Sequence, residues 1–289
     1  MIIVESPGAL TLVQDAGRVG FGSHGVPPSG AFDPWSMRAA NLVVANDGNA
    51  AVLEITLRGP VLRFEHEHVV ALAGSRFDAD IEPGRAIVMR TGSTLRIGRA
   101  IDGARCYLAV RGGIATDTIL GARSTHVTAG LGEPLRANAM IALGNAAPAG
   151  LRRLRARPSQ RDHVRALKGP QWRETTFFER DLVVSTHADR TGVRLDGDVG
   201  RASDEEIDPE PASLGAVQVP HDGSPIVLGP DRPITGGYPK IAVVVRADID
   251  LIARARPGDT LRFVPCTVEH AREAFAERER ALYASVEEL

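Results

Sequence analysis

Apolar residues in this chain come in short runs, alternating with polar positions or standing four and five together, and glycine and proline cut the runs apart. Val52-Leu53-Glu54-Ile55-Thr56, Val69-Val70-Ala71-Leu72-Ala73, Ala86-Ile87-Val88-Met89, Thr94-Leu95-Arg96-Ile97 and Cys106-Tyr107-Leu108-Ala109-Val110 have the β-branched content and length of strands. Turn signals at Glu82-Pro83-Gly84, Thr91-Gly92-Ser93 and Arg111-Gly112-Gly113 punctuate them at short spacing, a rhythm that predicts a β-rich barrel or sandwich. Glu54 alternates with Leu53 and Ile55, so it points away from them, either to solvent or into a cleft.

Helical periodicity is confined to three places. Asp33 can cap a helix opened by Pro34 and running through Met37, Ala40 and Asn41 toward Val44. A second helix follows Asp248, with Ile249, Ile252 and Ala255 on one face before Pro257-Gly258 stops it. The last spans Val268 to Val286, where Val268, Ala271, Phe275, Leu282 and Val286 form an apolar stripe suited to docking on the domain's own core.

Between these regions, Ala146 to Pro158 shows no period that buries a face and is rich in linker residues, so the boundary is expected there. That gives an N-terminal barrel domain, 1–147, and a C-terminal barrel domain with a terminal helix, 160–289. The basic run Arg152-Arg153-Leu154-Arg155 reads as a solvated connector. A six-residue echo, Gly92-Ser93-Thr94-Leu95-Arg96-Ile97 and Gly258-Asp259-Thr260-Leu261-Arg262-Phe263, suggests the same turn and strand in each half.

At 289 residues the chain is long enough for about two domains, each with its own core. Its formal net charge is -2, with basic residues dispersed, which argues against nucleic acid as a partner. There is no apolar run of membrane-spanning length and no leader pattern, and the chain reads as soluble and cytoplasmic. Cys106 sits in a buried strand pattern, and neither it nor Cys266 is given a redox role.

The charge inventory singles out one residue. Of 34 basic residues only Lys168 and Lys240 are lysines, and Lys240 follows a Gly236-Gly237-Tyr238-Pro239 turn. A chain that otherwise uses arginine has a compact, titratable ammonium there. The bland alternative is an exposed cation after a turn. Around it in the C-terminal half lie three glycine- and proline-punctuated loops: His187-Ala188-Asp189-Arg190-Thr191-Gly192, Gly215 to Gly223, and Asp231 to Lys240. Such loops on a barrel rim can build a rigid pocket. In it Lys240 would stabilise negative charge on a carbonyl or phosphoryl oxygen, Gln218 would hydrogen-bond an amide, and Asp189 or Asp222 would handle a proton. Arg190, Thr235, Gly236, Gly237 and Tyr238 complete the expected binding surface. In the N-terminal half, Gln14-Asp15-Ala16-Gly17-Arg18 and Gly25 to Asp33 offer Arg18, Ser29 and Asp33 to an anionic or carbonyl ligand. No metal site is expected: His66 and His68 would share a strand face, but a third ligand is lacking. No lysine precedes Ser or Thr, so there is no P-loop, and neither a Gly-x-Ser-x-Gly elbow nor a Cys-x-x-Cys pair occurs.

Taken in order, these blocks resemble a known family. Val13 to Arg18, Gly25 to Asp33, Leu53 to Pro60, Tyr107 to Ile114 and Leu120 to Thr125 are similar to its N-terminal motifs; Asp189 to Leu195, Gly215 to Pro220, Gly223 to Leu228 and Thr235 to Lys240 are similar to its C-terminal ones. The family is the biotin-dependent carboxyltransferase-like group, also called allophanate hydrolase subunit 2-like or KipA-type, which includes the C subunit of bacterial ATP-dependent 5-oxoprolinase. The resemblance implies cyclophilin-like β-barrels with a site in the cleft between them. It implies a KipI-type (allophanate hydrolase subunit 1-like) partner and a LamB/YcsF-type subunit, and opening of 5-oxoproline to glutamate at the expense of ATP. Two other activities fit the same resemblance: transfer of carboxyl from carboxybiotin to urea or a related amide, and a regulatory binding role without chemistry. The family's Ser-Asp-Arg-Met-Gly-Tyr is here Ala188-Asp189-Arg190-Thr191-Gly192-Val193, which lacks a hydroxyl and an aromatic ring. Neither lysine is flanked by methionine, so any biotin would arrive on another protein.

Overall fold

A computed structural model of the chain describes residues 1–155, 162–173, 175–200 and 207–289. It divides into two compact units, the first made of Met1–Arg18, Ser29–Pro158 and Arg280–Leu289, the second of Val19–Pro28 and Ser159–Glu279. The first half of the chain supplies β1 (Ile2–Ser6), β2 (Leu10–Gln14), α1 (Pro34–Val43), β3 (Val52–Thr56), β4 (Val61–Phe64), β5 (His68–Gly74), β6 (Phe77–Ala79), β7 (Ile87–Met89), β8 (Thr94–Ala100), β9 (Arg105–Val110), β10 (Met140–Ile141) and β11 (Arg152–Leu154). The second supplies β12 (Val164–Lys168), β13 (Asp181–Val184), β14 (Gly192–Asp196), β15 (Glu210–Pro211), β16 (Ala216–Gln218), β17 (Ile226–Leu228), β18 (Thr235–Gly236), β19 (Lys240–Val244), α2 (Ile249–Arg254), β20 (Thr260–Pro265), α3 (Val268–Ala284) and β21 (Val286–Glu288). The mainly-β architecture expected from the alternation is what forms.

In the first unit two five-stranded sheets, β10-β1-β4-β8-β6 and β2-β3-β9-β5-β7, pack face to face. Ile2, Val4, Leu62, Phe64 and Leu95 of one meet Leu53, Ile55, Val70, Leu72 and Leu108 of the other. Each such side chain, fully buried, contributes about 1.5–3 kcal/mol. The outer face of the second sheet is covered by α1, whose Met37, Ala40 and Val43 pack on Val52, Ala71, Tyr107 and Ala109. Both parities of β9 are therefore buried, as are all six of its residues. Asp33 begins α1 as expected: its carboxylate accepts from the Ser36 backbone N–H at 2.9 Å.

The second unit is built on a closed barrel in the order β12-β19-β16-β17-β14-β13-β20. Leu195, Val217, Val227, Ala242 and Phe263 are buried, and the Phe177 and Phe263 rings approach to 4.6 Å between centroids. Ile249 and Ile252 of α2 are buried as the sequence pattern requires. Asp248 is not a side-chain cap for α2; its carboxylate takes Arg165 in a two-pronged contact at 2.8 and 2.6 Å.

The expected linker is in part a strand. Arg152–Leu154 pairs antiparallel with Val286–Glu288, and Arg153 and Arg155 reach Glu287 at 2.8 and 2.7 Å. A three-residue edge strand leaves no periodicity, and its ion-pair partner lies 134 residues further on. Residues 156–158 of that stretch lie outside the described residues. Strand β21 also shortens the last helix, which ends at Ala284, and Ala274 is its one fully buried residue among those described. The exchange of residues 19–28 and 280–289 between units has no signal in composition.

The six-residue echo is a real structural repeat. Gly92 and Gly258 both have positive φ, 77° and 88°, and each precedes a strand that begins at the matching threonine. The hydrogen bonds correspond as well: Gly92 N–H donates to Phe64 O while Phe64 N–H donates to Ser93 O, and Gly258 N–H donates to Val184 O while Val184 N–H donates to Asp259 O.

Candidate functional site

Lys240, the first residue of β19, is the cross-strand partner of Gln218, the last residue of β16. Directly paired residues send their side chains to the same face of a sheet. Both are buried, with 5% exposure each. The Lys240 ammonium lies 2.7 Å from Glu210 Oε1, an ion pair whose angle is not that of a directed hydrogen bond. Gln171 ties the group together: its Oε1 accepts from the Lys240 backbone N–H at 3.0 Å, its backbone N–H donates to Lys240 O at 3.2 Å, and its Nε2 donates to Glu210 Oε1 at 2.8 Å.

Local sequence explains how these residues are presented. Glu210 stands between Pro209 and Pro211 on β15, a two-residue strand that among the described residues pairs only with β18; proline's fixed φ and missing N–H suit such an edge. Gln171 follows a Gly169-Pro170 turn. Opposite Glu210 in that pairing is Gly236, where a Cβ would come to 2.6 Å from Gln218 Nε2. Glycine there makes room for the carboxamide. The Glu210 carboxyl is held below the ordinary carboxylate range, chiefly by its contact with Lys240 and then by Gln171.

Two buried nitrogens at this site, Lys240 Nζ and Gln218 Nε2, have no directed hydrogen-bond acceptor among the described residues. Buried donors are costly when unpaired, so a site rich in them calls for a ligand oxygen.

The other expected residues are placed differently. Asp189 does not join Lys240 and Gln218: it precedes β14, three strands from β19, at the end where Gly192 pairs with Leu228, whereas Gln218 pairs with Ile226 at the other end. Its carboxylate closes its own turn, accepting from the Thr191 and Gly192 N–H groups at 2.7 and 3.1 Å. Arg190 is buried in a two-pronged ion pair with Asp231, at 2.8 and 3.0 Å. Asp222 is exposed and accepts from Ser224 N–H. Tyr238 is 40% exposed and meets His221 edge-on, Thr235 is exposed, and Gly237 O accepts from Ile207 N–H.

In the first unit, Asp33 is engaged in the helix cap, and Arg18 is buried with its guanidinium donating to Ser124 O. Ser29, at φ 56°, is buried with its hydroxyl unpartnered among the described residues. Glu54 is neither solvent-facing nor in a cleft. It is completely buried and accepts from Phe32 N–H at 2.9 Å and from the Tyr107 hydroxyl at 2.8 Å, which itself accepts from Asp33 N–H. Burial beside the Glu54 and Asp33 carboxylates pushes the Tyr107 hydroxyl well above its usual pKa. His68 begins β5 and His66 precedes it, so the two do not share a strand face; no group of three metal-ligating side chains occurs among the described residues. Glu210 and Gln171 escape the sequence reading, although Pro-Glu-Pro and Gly-Pro-Gln mark rigid presentation of a polar side chain. Lys240 is buried and ion-paired, and the exposed Lys168 ammonium lies 4.8 Å over the Trp172 ring.

Residues 24–265 match the family described as carboxyltransferase domain, subdomain A and B. The chain is 34% identical to the C subunit of 5-oxoprolinase from Escherichia coli (strain K12), over 97% of this chain and 96% of that protein. It is 32% identical to the urea amidolyase of Lachancea kluyveri, over 96% of this chain but 18% of that protein. The crystal structure of the K. lactis urea amidolyase superposes with a TM-score of 0.87 at 30% identity, over the whole of this chain and 20% of that one. The chain thus spans about a fifth of the amidolyases and nearly all of the 5-oxoprolinase protein. A match across residues 24–265, set beside relatives aligned over almost its full length, makes this chain a member of the carboxyltransferase domain A and B family.

Proposed function

We propose that the chain is the C subunit of an ATP-dependent 5-oxoprolinase, hydrolysing 5-oxo-L-proline to L-glutamate in the cytoplasm together with KipI-type and LamB/YcsF-type subunits. The observation that carries this reading is the pair of buried donors, Lys240 Nζ and Gln218 Nε2, on adjacent strands without a directed acceptor among the described residues. A lactam carbonyl supplies the missing oxygen. As the carbonyl carbon is attacked its oxygen gains negative charge, and fixed donors in a water-poor site favour that state over the ground state. Lys240 provides the charge and Gln218 a neutral N–H, while ATP is used by the complex. The match with a 5-oxoprolinase C subunit over 96% of that protein, against 18% of a urea amidolyase, supports this reading.

The test is reconstitution. The purified chain mixed with both partners, 5-oxoproline and ATP is expected to release glutamate, and full activity in a mixture lacking the chain refutes the assignment. A second reading, carboxyl transfer from a carrier-borne carboxybiotin to urea or a related amide, is favoured by the superposition on the urea amidolyase. It predicts avidin-sensitive turnover, which the first reading excludes.

A further inference from the structure

A buried ammonium must recover its lost hydration, and among the described residues the recovery for Lys240 comes from one side chain. Glu210 is the carboxylate in ion-pair contact with it, and the two differ in freedom: the Lys240 side chain is 6% exposed and the Glu210 side chain 39%. Glu210 is not free-floating. Gln171 Nε2 holds its Oε1 at 2.8 Å, and Gln171 is locked through both backbone groups of Lys240. The contacts therefore form a closed circuit, from the backbone of Lys240 through Gln171 and Glu210 to the ammonium of the same lysine. That circuit fixes the ammonium by charge while leaving its N–H vectors without a directed acceptor among the described residues, beside the equally unpartnered Gln218 Nε2. An ammonium has three N–H groups, so the contact with Glu210 leaves donors for a ligand oxygen.

We infer that Glu210 is a positioning residue, an internal counter-ion that holds the Lys240 ammonium beside Gln218 for a substrate carbonyl oxygen. This rests on the reading of Lys240 and Gln218 as the oxygen-binding pair. When the oxygen arrives, the half-exposed carboxylate yields ground and the buried ammonium stays. The alternative it must beat is that Glu210 merely ties the β15–β18 pairing to the barrel.

The chain's two lysines make the test direct. Lysine labelled at Cε and Nζ gives two side-chain signals in the full-length protein, and Lys168→Arg identifies the one that lies over Trp172. Glu210→Gln and Glu210→Ala are expected to move the Lys240 signal and leave that of Lys168. In the reconstituted mixture both variants should lower kcat by about tenfold to a hundredfold, the scale of a misplaced reacting group, with a smaller change in KM, and the unpaired ammonium should also lower the thermal midpoint. Glu210→Asp should recover part of both effects. An unmoved Lys240 signal in Glu210→Gln, or a kcat loss no better in Glu210→Asp, overturns the proposal. Failure of the underlying reading looks different: Lys240→Ala would then keep full turnover. An inactive Lys240→Ala beside a wild-type Glu210→Gln removes the role of Glu210 alone.

Discussion

Two buried polar clusters, one in each unit, make an instructive pair. Under the start of α1, Glu54 accepts from Phe32 N–H and Tyr107 Oη, and Tyr107 accepts from Asp33 N–H, so donors and acceptors run in an unbroken chain. At the start of β19, Lys240 and Gln218 are as deeply buried, yet their terminal nitrogens have no directed acceptor among the described residues. A satisfied network rigidifies a fold, whereas an unsatisfied one stores a cost that a ligand can relieve. Burial alone does not separate structural from functional polar residues.

Mutations should therefore act on different observables at the two clusters. Lys240→Ala is expected to lower reconstituted turnover by about a hundredfold to a thousandfold, the effect of losing an oxyanion donor, with a thermal midpoint at or above that of the wild type. Glu54→Ala should do the reverse, destabilising the first unit by about 3–5 kcal/mol because Phe32 N–H and the Tyr107 hydroxyl lose their acceptor and Arg105 an ion-pair partner. Chemical denaturation measures it, and a turnover loss without a stability loss there would erase the distinction. Next in size, Gly236→Ala sets a methyl against Gln218 Nε2 and should raise KM more than it lowers kcat. Asp189→Ala should cost about 1 kcal/mol of stability through its two turn hydrogen bonds and leave kcat close to that of the wild type. A large kcat loss would return Asp189 to the chemistry.

The smallest effect concerns pH. Because the Glu210 carboxyl is depressed below the ordinary value of 4.5, its contact with Lys240 is fully present above that value and is lost only as pH falls through the lower, folded-state value. The Lys240 side-chain signal should stay fixed on acidification to pH 4.5 and begin to move below it; movement at higher pH would show that Glu210 is not its counter-ion.

Local signals read well in this chain. Alternation locates β3, β5, β8 and β9, and the Asp33-Pro34 pair locates the start of α1, because those features depend on neighbours in sequence. Long-range relations do not read this way. Strand β11 looks like a connector because its partner is at the far end of the chain, and Glu210 passes unnoticed because Gln171 lies 39 positions before it. The grouping of Asp189 with Lys240 fails for a topological reason: similar glycine-rich loops cap both ends of the barrel, and only the register tells which end each occupies. Lys240 itself is legible through rarity, since a residue type almost absent from a chain is informative where it remains.

That rarity also gives the protein an unusual reactivity profile toward amine-directed reagents. With one of the two ε-amines shielded and clasped by a carboxylate, acylating or reductive-alkylating probes would tag the α-amine and residue 168 first. Any slow third adduct would report, by its rate alone, how often the clasp around residue 240 opens.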